Sequence, residues 1–442
     1  MWILNGILII IAVYMTLKLI VLLDVKSLFL VYFILNFAQQ IASIIYLNSG
    51  VYVSELGRTT YFVPEAVPLF ILYVDLFLFF LCFFAKRNRS KTVTSECMAE
   101  ANSLSELFCY GSLMITVVFG LYTMADLLVS GIPVLSIGIT RYNDYGTYSK
   151  LPYASTINNL LGICMYLLGY TYVHLRKKGI RRICVFFVLL TTLIRLLMGN
   201  KMSGLINIPL NFISVVVLLS NLNLKSVREL IKPKYLLIAL GIVATAVIFF
   251  VVSTVIGGNA ENAIQGIEIL INRAFGLGNH LWWAAEADQV VGNDFFGHNL
   301  WAELWAVLSG KNQYDTSIGM YHLMLKYGNS YIVNVDIAHG IRYAATFITT
   351  AVYNCGYFFA FVPIAATAYV TIWFLNSIEK ALIRDRFFQL VLLCKIWGTF
   401  STFVVASGTM TEWLNPENYI YFILYFFLYY YGRHTRFTLG KK

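Results

Sequence analysis

Long apolar runs recur along this chain at lengths near twenty residues, and polar residues are confined to the gaps between them. The runs fall near residues 2–23, 28–48, 66–85, 106–128, 155–175, 181–198, 203–221, 235–256, 346–375, 387–407 and 418–432. A bilayer core about 30 Å thick needs roughly 20 apolar residues per spanning helix. The pattern therefore predicts an all-α fold: a polytopic transmembrane bundle of about eleven spans, forming one membrane domain over residues 1–442. The run at 346–375 is longer than one span needs, which implies either a tilted helix or a first part lying in the interface. Two gaps are long, 129–154 and 257–345, and both are expected to be outer loops, the second partly helical.

Composition strengthens this picture. The 442 residues are 59% hydrophobic and only 12% charged, with a mean hydropathy of +0.72. A soluble domain carries about a quarter charged residues, so the expected solvent is lipid. The formal net charge is +10, but the cations lie in short clusters beside apolar runs, not in a basic stripe alternating with aromatics, and nucleic acid is not expected as a partner. Lys26 and the clusters at 86–91, 176–182, 225–234, 380–386 and 433–442 hold 21 of the 32 cations, all in alternate loops. Cytoplasmic loops retain Lys and Arg, so the N-terminus is expected outside and the C-terminus inside. The first run follows Met1 and Trp2 with no basic n-region and no A-x-A pattern, and is expected to be a retained helix. Seven cysteines fall singly, without metal-ligand spacing, so neither disulfide nor zinc is expected.

Candidate chemistry gathers in the outer segments. Arg141 and Arg273 stand where short outer loops usually avoid cations. A guanidinium fork suits a lipid diphosphate at the membrane surface, although a headgroup-paired cation is the plainer alternative. Beside Arg141, the residues Tyr142, Asn143, Asp144, Tyr145 and Tyr148 form a polar, aromatic loop of the kind that grips a sugar. The segment from Gly278 onward predicts an amphipathic surface helix. Positions 281, 284, 285 and 288 share one face, Trp282 and Glu286 another, and His280 and Trp283 lie beside them. Its tryptophans serve as sugar platforms or as interfacial anchors.

His322 and His339 are candidate bases, with Asp315, Asp336, Glu286 and Glu303 as competitors. Arg342 follows His339 closely. Lys201, in the Gly199-Asn-Lys turn, points a further cation at the outer surface. Lys18, Asp75, Asp126, Arg195 and Lys395 lie within apolar runs, where charge is costly and should pair or face the bundle interior; Asp126 and Arg195 could line the floor of an outer cavity. The chain has no GxxxxGKS/T, HExxH or GxSxG, so ATP hydrolysis and zinc proteolysis have no support.

This layout resembles the bacterial O-antigen and capsular repeat-unit polymerases, the Wzy type, and the O-antigen ligases of the same broad group. The features that carry the resemblance are the span plan, the loop Arg141-Tyr-Asn-Asp-Tyr-Gly146, the turn at 199–201, and the large outer loop with Arg273 that ends in His339 to Arg342. The resemblance implies glycosyl transfer at the outer face of the inner membrane: a polyprenyl-diphosphate-linked oligosaccharide is the donor, and a hydroxyl of another lipid-linked repeat unit is the acceptor. It implies a metal-independent, inverting reaction with no cofactor. Arg141, Arg273 and His339 would form the catalytic set, with Tyr142, Asp144, Tyr145, Lys201, His280, Trp282, Trp283 and Arg342 binding substrate. Membrane lipid, a chain-length regulator and a flippase would be its partners. A ligase, or a transporter of lipid-linked glycans, remains an alternative reading.

Overall fold

The computed structural model describes residues 1–88, 103–133, 149–198, 202–220, single positions between 244 and 255, 260–292, 300–311, 316–338 and 343–439. Apart from one antiparallel hairpin, Tyr52–Val53 (β1) against Arg58–Thr59 (β2), the described regular elements are helices. Five helical stretches among them are long and apolar enough to cross a membrane: Trp2–Leu47, Ala66–Arg87, Ser105–Ser130, Phe361–Ile383 and Phe387–Ser407. The first comprises helix α1, Trp2–Leu23, a tight turn at Asp24–Leu30, and helix α2, Val31–Leu47. Side chains on α1 such as Ile3, Ile10 and Val21 are exposed although apolar. That is untenable in water over so large a face and natural against lipid, so the chain has the build of a multi-span membrane protein.

The chain divides into two compact units. One contains Asp24–Tyr32 and Val93–Arg273. Its helices are α4 (Ser103–Ser130), α5 (Ala154–His174), α6 (Lys178–Leu197), α7 (Met202–Leu219) and α8 (Ala263–Ile271). The core between α5, α6 and α7 is built from Met165, Leu168, Cys184, Phe187, Ile208 and Phe212. The two ionisable residues expected to line an outer cavity instead tie this unit together. Asp126 Oδ1 on α4 accepts from Ser130 Oγ (2.9 Å), Ser149 Oγ (2.7 Å) and the Leu151 amide (3.2 Å). Arg195 on α6 donates to the Asn158 carbonyl at 2.6 Å. A buried carboxylate with several donors is structurally satisfied.

The other unit contains Met1–Leu23, Phe33–Thr92 and Ala274–Lys442. Helix α3 (Ala66–Arg87) packs on α1 and on α14 (Phe361–Ile383); α14 packs on α15 (Phe387–Thr402), and α15 on α17 (Pro416–Leu439). Between the long helices lie five short ones: α9 (His280–Gly292), α10 (Leu300–Leu308), α11 (Gly319–Tyr327), α12 (Ser330–Ala338) and α16 (Met410–Trp413). The long run expected at 346–375 is broken. Helix α13, Phe347–Phe359, contains a non-helical Gly356 at φ 71, ψ 170, and α14 starts afresh at Phe361. That conformation is open essentially to glycine alone.

Candidate functional site

Helix α9 is the hub of the polar chemistry in its unit. It follows a π-helical turn, Asn272–Gly276. Two of the carbonyls at that turn are taken up by side chains of α2: Gln39 donates to the Ala274 carbonyl at 2.8 Å and Ser43 donates to that of Phe275. Such external donors satisfy backbone groups that a widened turn leaves unmade.

The expected amphipathic surface helix is not what forms. Residues 281 to 287 of α9 are all buried, so the helix has no solvent face over that stretch. Trp282 donates its indole N–H to the Ala66 carbonyl at 2.8 Å, and Trp283 donates to Asn48 Oδ1 at 3.1 Å. Both rings are packed inside the protein as pegs against Phe70 and Tyr61. Trp301 and Trp305 on α10, by contrast, are exposed. A surface helix and a buried one share the same spacing of apolar positions, and only the number of neighbours separates them.

Three polar groupings surround α9. At its start, His280 Nε2 approaches Glu55 Oε2 of the hairpin turn at 2.9 Å, off the line of a hydrogen bond, with both side chains buried. The His280 ring lies 5.2 Å from that of Tyr343. One turn and a half on, Glu286 Oε2 accepts from the Tyr357 hydroxyl at 2.6 Å. Burial pushes the Glu286 carboxyl up to about 7; the Tyr357 hydrogen bond opposes this and the charge of Glu65 adds to it.

The third grouping is partly exposed. His322 Nε2 on α11 lies 3.0 Å from the Tyr353 hydroxyl, and Lys326 Nζ stands 5.2 Å over the rings of both Tyr327 and Tyr353. Lys326 also faces Asp288 of α9 at 3.7 Å. Burial, then the Lys326 ammonium, push His322 below the ordinary imidazole value, while a backbone hydrogen bond at Thr316 pulls the other way. His322 is therefore a neutral base at neutral pH. Burial first, then Asp288, raises the Tyr327 hydroxyl, which stays protonated. The Lys326–Asp288 pair is half exposed and contributes little to stability, so an anion can open it.

A fourth carboxylate, Glu303 of α10, is buried against α13 and α16, accepting from the Met410 amide at 3.0 Å and from the Asn354 side-chain amide. Burial raises it to about 7, with the Met410 bond opposing.

Of the residues expected to form the site, Arg141, Tyr142, Asp144, Tyr145, Lys201, His339 and Arg342 lie outside the described residues. Arg273 sits half exposed in the π-helical turn. His280, Trp282 and Trp283 come together at the head of α9, in the interior. Sequence reasoning missed Glu55, Tyr353 and Asn354. The signal for Asn354 was available: Thr346, Thr350 and Asn354 recur every fourth residue in a largely apolar run.

Residues 313–423 match a family described as "Family of unknown function (DUF6418)". The match covers about a quarter of the chain and includes His322, Lys326, Tyr353 and Asn354. No curated protein and no solved structure matches the chain.

Proposed function

We propose that this chain is a membrane-embedded glycosyltransferase that polymerises polyprenyl-diphosphate-linked oligosaccharide repeat units into a surface polysaccharide at the outer face of a bacterial inner membrane. In this reading it spans the bilayer about eleven times, with the N-terminus outside and the C-terminus in the cytoplasm. The observation that carries the reading is the partly exposed grouping of His322, Tyr353, Lys326 and Asp288: a neutral base, a cation and aromatic rings, in a segment rich in functional side chains.

The chemistry is a single displacement. An acceptor hydroxyl replaces the Tyr353 hydroxyl at His322 Nε2 and loses its proton there as its oxygen bonds to the anomeric carbon. The bond from that carbon to the diphosphate oxygen breaks, and the electron pair leaves on the diphosphate. Lys326, released from Asp288, meets the departing charge. One displacement inverts the anomeric centre. A general base of this kind contributes about 10²–10⁴-fold.

The test is the surface polysaccharide ladder of a deletion host complemented with wild type, His322→Ala or Lys326→Ala. The polymerase reading expects a single capped repeat unit in the deletion host and no restored ladder from either variant at normal expression. Long chains left unattached to lipid core would instead make the chain a ligase, and repeat units trapped inside the cell would make it a transporter.

A further inference from the structure

A second set of polar groups, separate from the one just described in its hydrogen bonds, is built around Glu303. Thr346 is the N-cap of α13, and Thr350 and Asn354, four residues apart, lie on one face of that helix. All three are buried, at 0%, 2% and 3% exposure. Across from them the π-helical turn Phe403–Ser407 ends at Gly408, which has φ +63. A Cβ there would land on the Thr346 carbonyl oxygen and the Thr350 hydroxyl, so only glycine permits the approach. The Thr350 hydroxyl donates to the Gly408 carbonyl at 2.6 Å. Glu303 closes the ring, with a small cavity of about 10 Å³ lined by Glu303, Thr350, Asn354 and Gly408 among others. That is room for one water-sized occupant.

The polar groups around this space do not balance. Among the described residues no Lys or Arg pairs with Glu303, and its carboxylate is fully buried. Asn354 gives its N–H to Glu303 while its Oδ1, also buried, has no hydrogen-bond partner. A buried carboxylate without a positive partner is costly, and so is a buried amide oxygen with no donor. A proton on Glu303 would answer the first deficit and leave the second, because turning the amide over to receive that proton strands its N–H₂ instead. One cation bound to oxygen answers both.

We propose that Glu303, Asn354 and the Thr350–Gly408 joint form a binding site for a small monovalent cation of about sodium's size, held entirely by oxygen. Hard cations take oxygen ligands, and a single carboxylate balances a single positive charge. The left-handed turn at Gly408 brings its carbonyl and the Thr350 hydroxyl together at the cavity, and irregular backbone of this kind suits ions at discontinuous membrane helices. The other titratable groups on the elements packed there are Tyr353, Cys355 and Tyr357 of α13, of which Cys355 lines the cavity, Tyr369, Glu379 and Lys380 of α14, and Glu412 of α16. The proposal does not depend on the glycosyl-transfer reading, because its readout is binding.

The experiment is thermal unfolding of the purified full chain in detergent at constant ionic strength, with choline chloride replaced stepwise by sodium, potassium or calcium chloride. Sodium is expected to raise Tm by about 2–4 °C at saturation, potassium and calcium to do less, and Glu303→Gln and Asn354→Leu each to abolish the sodium response. Equal Tm in choline and sodium for the wild type overturns the proposal, as does a sodium response that survives Glu303→Gln. A Tm that ignores cations but still rises on acidification through pH 7 in a Glu286→Gln background overturns it in favour of a protonated Glu303. The wild-type salt series decides the matter even if one variant fails to fold.

Discussion

Helices α1 and α9 belong to the same compact unit and invert the arrangement of a soluble protein. The first is long, almost wholly apolar and largely exposed, with Ile3 at 82% and Val21 at 75%. The second is short, carries a histidine, two tryptophans and two acidic residues, and is buried at every position from His280 to Ala287. Where lipid surrounds the molecule, apolar side chains lose nothing by facing outward, and polar groups gain most by finding one another inside. Burial in this protein therefore marks hydrogen-bonded chemistry as much as hydrophobic packing, and α9, not the long helices, is where function should be sought.

The comparison breaks most readily at Trp282. Replacing it with alanine removes a fully buried ring together with its hydrogen bond to the Ala66 carbonyl, so the expected loss is about 3–5 kcal/mol, read as a collapse of Tm or of folded yield. Retention of wild-type Tm would mean that α9 is not a structural hub. On α1 the contrast is between chemistries: Ile10→Ala should be almost silent, whereas Ile10→Asp should cost about 3 kcal/mol in a membrane-insertion assay. Similar behaviour of the two variants would show that α1 does not meet lipid.

A pH series sharpens the contrast further. Folding raises the Glu286 carboxyl from its ordinary 4.5 to about 7, so the folded state holds this proton more tightly than the unfolded chain. Its contribution to stability is complete below pH 4.5 and is lost as pH rises to about 7. Glu286→Gln keeps an acceptor for Tyr357 without the charge. It should flatten that decline and exceed wild type above pH 7 by an amount on the order of 2 kcal/mol, measured as Tm between pH 5 and 8. Parallel curves would show that Glu286 does not titrate in this range. The smallest effect is expected at the rim: the Arg58 guanidinium stands 5.2 Å over the Trp283 ring, and Arg58→Ala should cost about 0.5–1 kcal/mol. A loss several times larger would give Arg58 a further role.

How far each element was legible follows from what it packs against. The limits of α1 and α3 agree with their apolar runs to within two residues, because an apolar run that must cross a membrane is bounded by the membrane itself. The run at 346–375 was legible as apolar but not as broken, since Gly356 looks in sequence like any helical glycine and its φ of 71 is imposed by neighbours. His322 stood out as a candidate base, but its partner Tyr353 lies 31 residues away and is joined to it only by packing.

By itself, the order of residues determined that this chain is helical and that lipid is its solvent, because hydropathy and helix length are local properties. Tertiary structure alone decided that α9 turns inward, that Glu55 meets His280, and that Glu303, Asn354 and Gly408 close on one small cavity. Those contacts join residues tens to hundreds of positions apart, and a buried polar group is defined by the partners that desolvate it, which no local pattern specifies.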